Sequence, residues 1–106
     1  MGLFSLFTGT DINKGIEEWQ GTENAVLLDV RSASEYQQGH IPGSVNIPLD
    51  SIEHAMKKYP KKDTPLFVHC LSGGRSGRAV SFLKHEGYTN VKNIGGINGY
   101  TGKVEQ

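Results

Sequence analysis

The chain of 106 residues holds a single cysteine, Cys70, so no disulfide can form within it. That usage suits a reducing compartment, and a cytoplasmic protein is expected. Charge of one sign is also lacking: eleven Lys and Arg are balanced by eleven Asp and Glu. The balance leaves no basic excess to point to nucleic acid or an anionic membrane, and neither partner is expected. No apolar run approaches the ~20 residues of a membrane span. No Lys or Arg precedes Lys14, and no long apolar core follows Leu3-Phe4-Ser5-Leu6-Phe7, so a signal peptide is not expected. Leu6 occupies the position where a myristoylation signal wants Ser or Thr. The four histidines show no H-x3-H pairing and there is no second cysteine, which argues against zinc. Gly73-Gly74 and Gly95-Gly96 lack the spacing of a nucleotide-binding loop.

What is present reads as one α/β domain. Asp11 can cap a helix through Gln20, with Ile16 and Trp19 on one face. Ala25 to Val30 is an apolar run with one carboxylate, Asp29, near its end, the pattern of a strand covered on both faces. Ser34 to Gln38 forms a helical turn stopped by Gly39, and Ser44 to Ile47 a brief strand closed by Pro48. Asp50 can cap a helix to about Tyr59. Leu66 to His69 is a strand delivering Cys70, Ser76 to Glu86 a helix, and Val91 to Ile94 a last strand. The tail through Gln106 is expected to fray. Strands alternating with helices predict a sandwich around a parallel sheet, with ligands at the carboxyl ends of the strands. Asp29, Cys70 and Gly95 all lie at or just beyond such ends. Leu3, Phe4, Leu6 and Phe7 are expected to pack back onto the domain, with a dimer contact as the alternative. A monomer or weak homodimer is expected.

Cys70 carries the chemistry. Leu71-Ser72-Gly73-Gly74-Arg75-Ser76 follows it, a Gly-rich turn leading into a helix. Glycines and polar residues do not pack around a core thiol. A thiol there meets backbone N–H groups and the positive end of a helix dipole, which favour the anion. An unperturbed thiol is only ~3% thiolate at pH 7. Successive N–H groups can converge into an anion nest, and Arg75 adds a permanent charge with a planar fork suited to oxyanions. Ser76 can cap the helix and donate to a bound group. A cation at a helix start needs an anionic partner, either a carboxylate of the domain or the substrate. Arg78 reads as a solvated helix residue.

The chain resembles a single-domain rhodanese. Leu28-Asp29-Val30-Arg31-Ser32, Glu35-Tyr36 and Gly39 through Pro48 resemble the family's amino-terminal signature. Cys70 through Ser76 resembles its active-site loop, and Gly95 through Tyr100 its closing loop, with Tyr100 where tryptophan is usual. The resemblance spans roughly residues 10 to 102. An N-terminal extension over 1–9 and a tail over 103–106 flank it. It implies a three-layer sandwich with a central, mainly parallel, five-stranded sheet. It also implies a ping-pong sulfur transfer without metal or organic cofactor. Cys70 takes the outer sulfur of thiosulfate or another persulfide or polysulfide donor, becomes a persulfide, and yields that sulfur to cyanide or a thiol. The loop residues Leu71, Ser72, Gly73, Gly74, Arg75 and Ser76 bind the donor anion. Some members carry cations directly after the cysteine. Leu71 and Ser72 stand there instead, so thiosulfate is expected to be a poor donor.

The remaining polar residues have more than one reading. Asp29 and Arg31 either orient the Cys70 loop or pair with each other to hold the strand end. Glu35 pairs with Arg31 or Arg75. His40 hydrogen-bonds its own turn. His69 adjoins Cys70, but neighbours on a strand point to opposite faces, so a Cys–His pair is not expected. Two further functions compete with a sulfurtransferase. A persulfide carrier serving a sulfur-relay partner would use the same site. A cysteine-dependent phosphatase or arsenate reductase uses the same tools around a longer loop, whereas four residues separate Cys70 from Arg75 here.

Overall fold

The computed structural model describes residues 11–106. The extension over 1–9, with its apolar side chains, lies outside the described residues. Four strands form one sheet: β1 (Val26–Asp29), β2 (Ser44–Asn46), β3 (Leu66–Cys70) and β4 (Val91–Gly96). Their order is β2-β1-β3-β4, and every pairing is parallel. Helix α1 (Ile12–Gln20) precedes β1, α2 (Ala33–Gln38) follows it, α3 (His54–Lys58) precedes β3, and α4 (Gly74–His85) joins β3 to β4.

The alternation of side chains along the strands makes three layers. On β1 and β3, Leu28, Leu66, Val68 and Cys70 share a core with Ala79, Val80 and Leu83 of α4 and Ala55 of α3. Leu27 and Phe67 face the other way, into a cluster with Ile12 and Ile16 of α1, Ile41 and Ile94. A strand buried on both faces must be apolar at successive positions, and β3 is buried throughout.

The described residues hold four strands where the resemblance implies five. Among the described residues, β2 forms one edge of the sheet and β4 the other. The tail makes an isolated antiparallel bridge, His40 to Glu105, instead of a fifth strand. This bridge also corrects the expected fraying. His40 N–H donates to Glu105 O and Glu105 N–H to His40 O, both at 2.9 Å, and Gln106 Nε2 donates to Gln38 O. The helix expected from Asp50 to Tyr59 is broken in two. Leu49–Ser51 forms a 3₁₀ turn after Pro48, and α3 begins only at His54 without a side-chain cap. Asp50 lies inside the 3₁₀ turn and is exposed.

Candidate active site

The site lies at the carboxyl ends of β1, β3 and β4. Parallel pairing puts Asp29 beside His69, and Cys70 beside Gly96. A bulge pairs Val68 with Asn93 but His69 with Gly95, so β4 carries one extra residue there. Bulges re-aim side chains and recur beside active sites. This one brings the backbone of Gly95 and Gly96 under the Cys70 loop. A Cβ at Gly96 would collide with the Leu71 carbonyl, so only glycine fits.

Cys70 is 1% exposed. Its Sγ accepts the Gly73 N–H at 3.0 Å and lies 3.4 Å from Ser76 Oγ. Gly73 has φ +102°, the left-handed conformation that glycine adopts freely, and this turns its N–H back onto the sulfur. Burial pushes the thiol pKa up. The Ser76 hydroxyl and the N–H groups of Ser76, Gly73 and Ser72 more than offset burial and hold it below the usual thiol range. Ser76 is not the helix cap. The helix begins two residues earlier at Gly74, after Gly73 as N-cap, so Ser76 falls in the first turn and faces inward.

Asn93 completes the cradle, and the sequence reading missed it. Its Oδ1 accepts from Ser76 Oγ at 2.7 Å and from Gly95 N–H at 3.0 Å, and its Nδ2 donates to Gly73 O at 3.1 Å. The available cue was an asparagine inside a strand, where that residue is depleted. In the thiol state Cys70 S–H can donate to Ser76 while Ser76 donates to Asn93. In the thiolate state the Ser76 proton can turn to sulfur, and Asn93 Oδ1 still holds the Gly95 N–H.

Of the other loop residues, Leu71 and Ser72 are exposed and Gly74 opens α4. Arg75 pairs with a carboxylate of the domain: Nη1 and Nη2 lie 2.7 and 3.0 Å from the two oxygens of Glu35. That pair and the Ser32 backbone N–H hold the Glu35 carboxyl at about 2. Glu35 also closes a capping box with Ser32.

Asp29 and Arg31 form their own pair. Asp29 is fully buried, Arg31 Nη2 donates to it at 2.8 Å, and the same nitrogen donates to Gly39 O at 2.7 Å. Neither side chain is hydrogen-bonded to residues 71–76 among the described residues. Beneath Cys70, His69 Nε2 lies 3.9 Å from Asp29 Oδ2 on the opposite face of the sheet from the thiol. Burial lowers the His69 pKa against the raising effect of Asp29. His40 Nδ1–H donates to Tyr36 O at 2.8 Å, and its ring stacks on the Tyr36 ring. Among the described residues no cluster of three His, Cys, Asp or Glu side chains could hold a metal, and no helix is long and apolar enough to cross a membrane.

A buried cysteine whose sulfur accepts a backbone N–H at the carboxyl end of a parallel sheet defines the class: an α/β domain built around one thiol at its strand ends. The chain belongs to the rhodanese family: the profile of the rhodanese-like domain matches residues 12–103. It is 41% identical over 71 residues to the thiosulfate sulfurtransferase PspE of Escherichia coli, covering 66% of this chain and 68% of that one. It is 39% identical over 77 residues to a sulfurtransferase of Allochromatium vinosum, covering 72% and 71%. A solved rhodanese with anions from Escherichia coli superposes with TM-score 0.72 at 35% identity, covering 77% of this chain and 98% of that one.

Proposed function

We propose that the protein is a sulfurtransferase that carries sulfane sulfur as a persulfide on Cys70. The observation that supports this reading is the sulfur held between the Gly73 N–H and the Ser76 hydroxyl. Donors aimed at one atom stabilise the charge that resides there before and after transfer. Cys70 thiolate forms a bond to the donor's outer sulfur, and the donor's S–S bond breaks. With thiosulfate the leaving group is sulfite, which takes the bonding pair. The persulfide anion then yields its terminal sulfur to a thiol or cyanide, or to a sulfur-relay protein, and regenerates the thiolate. Splitting one transfer into two steps is the logic of covalent catalysis.

Intact-protein mass spectrometry after incubation with thiosulfate, or with polysulfide, tests it. A gain of about one sulfur mass, reversed by cyanide and absent in Cys70→Ser, is expected of a covalent intermediate. Turnover by Cys70→Ser equal to the wild type would sink the reading.

A further inference from the structure

A cleft of about 340 Å³ opens beside the Cys70 loop, lined by Arg31, Glu35, Gln38, Gly39, Leu71 and Val104. Leu71 and Val104 are 44% and 49% exposed, the two large hydrophobic side chains most open to solvent among the described residues. Both stand on this one cleft. Its charges are already matched. Arg31 is bound by Asp29 and Gly39 O, and Glu35 by both nitrogens of Arg75. Arg78, which is exposed, lines a separate cleft with Asp50. A dianion in the Leu71 cleft thus meets no cation without its own carboxylate, whereas an apolar group meets two uncovered side chains. The volume lies at the lower end of the range of small-molecule sites. Val104 is held in place by the backbone bridge of its neighbour Glu105 to His40.

We propose that Leu71 and Val104 seat the carbon portion of a monoanionic organic sulfane donor, a persulfide or thiosulfonate, and select it over thiosulfate. This rests on the sulfurtransferase reading and names its donor class. Cys70 thiolate bonds to the donor's terminal sulfur; the donor's S–S bond breaks, and the organic thiolate or sulfinate departs with the bonding pair. Charge balances, one anion leaving for each that arrives.

The test compares benzenethiosulfonate with methanethiosulfonate, with cyanide as acceptor and each rate normalised to the reaction without protein. The two donors share charge and reacting atoms and differ in apolar area. We expect kcat/KM to favour the aromatic donor about tenfold, equivalent to ~1.4 kcal/mol, and to exceed that of thiosulfate. Val104→Ser, at a half-exposed position, keeps the fold and brings the preference below about threefold, since it takes apolar surface away from the seat. Equal rates for the two thiosulfonates, or a preference untouched by Val104→Ser, overturn the proposal. Titration with inert benzenesulfonate, followed by amide NMR, decides it without turnover. Shifts centred on Leu71 and Val104 are expected, and shifts elsewhere overturn the donor site even if Cys70 carries sulfur. A protein that binds benzenesulfonate there but never gains sulfur keeps the site and loses the sulfurtransferase reading.

Discussion

Ser76 offers the sharpest test at the scale of one side chain. Its hydroxyl lies 3.4 Å from the Cys70 sulfur, within hydrogen-bond reach, and it also serves Asn93. In Ser76→Ala the Asn93 Oδ1 keeps its bond from Gly95 N–H, so no buried acceptor is left unpaired. The fold should therefore survive while the thiolate loses a donor. A hydrogen bond to a charged group is worth ~1.5–3 kcal/mol. The Cys70 pKa should rise, and sulfur loading at neutral pH should slow about tenfold or more. Ultraviolet titration of the thiolate, together with single-turnover loading, measures both. An unchanged titration midpoint would show that the N–H groups alone set the thiolate. His69 behaves differently. It is buried neutral with a lowered pKa, so the unfolded chain binds the extra proton first. Its contribution to stability is present above the unfolded value near 6.5 and fades as pH falls below it.

At the scale of elements, the cradle is a joint product of the β3–α4 turn and the bulged end of β4. The Leu71 carbonyl accepts from Asn98 N–H at 3.1 Å, so the loop is fastened to the chain beyond β4 as well. Gly96→Ala should drive the Leu71 backbone away from β4. Overpacking of this kind costs about 1–3 kcal/mol, and the Gly73 N–H should lose its aim at sulfur. Urea unfolding together with the loading assay reads the two effects; wild-type behaviour in both would show that the loop yields freely.

Much of this architecture was legible. The apolar runs Ala25 to Val30, Leu66 to His69 and Val91 to Ile94 marked three strands, which end at Asp29, Cys70 and Gly96, and their parallel pairing brings those ends together. The Gly-rich segment after Cys70 marked the turn. The bulge was not legible, because Asn93-Ile94-Gly95 reads as continuous strand and closing loop until its partner strand is known. The role of Asn93 was hidden for the same reason. Ser76 looked like a cap because Ser commonly caps. The positive φ of Gly73, a backbone property that sequence only permits, started the helix earlier. The split of the Asp50–Tyr59 segment escaped notice because its charged residues suit either a 3₁₀ turn or an α-helix.

For the whole molecule, the Arg75–Glu35 pair ties α4 to α2 across forty residues of sequence. The Glu35 carboxyl titrates at about 2 rather than 4.5. It therefore stabilises the fold above about pH 4.5, and that contribution drains away as pH falls toward 2. Glu35→Gln keeps the capping-box geometry, which glutamine also satisfies, and removes the ion pair. With the pair about one-third exposed, the loss at neutral pH should be about 1 kcal/mol or less. The variant's unfolding free energy should fall less steeply than the wild type's between pH 4.5 and 2. Parallel curves in urea unfolding at each pH would show that the pair holds nothing together.

The fastenings at Leu71, Gly73 and Ser76 also bear on how temperature acts on the reaction. Donor groups already locked around sulfur have little freedom left to surrender when the transition state forms. The barrier to loading should then be mainly one of bond making and breaking, with a small activation entropy, because the ordering was completed during folding.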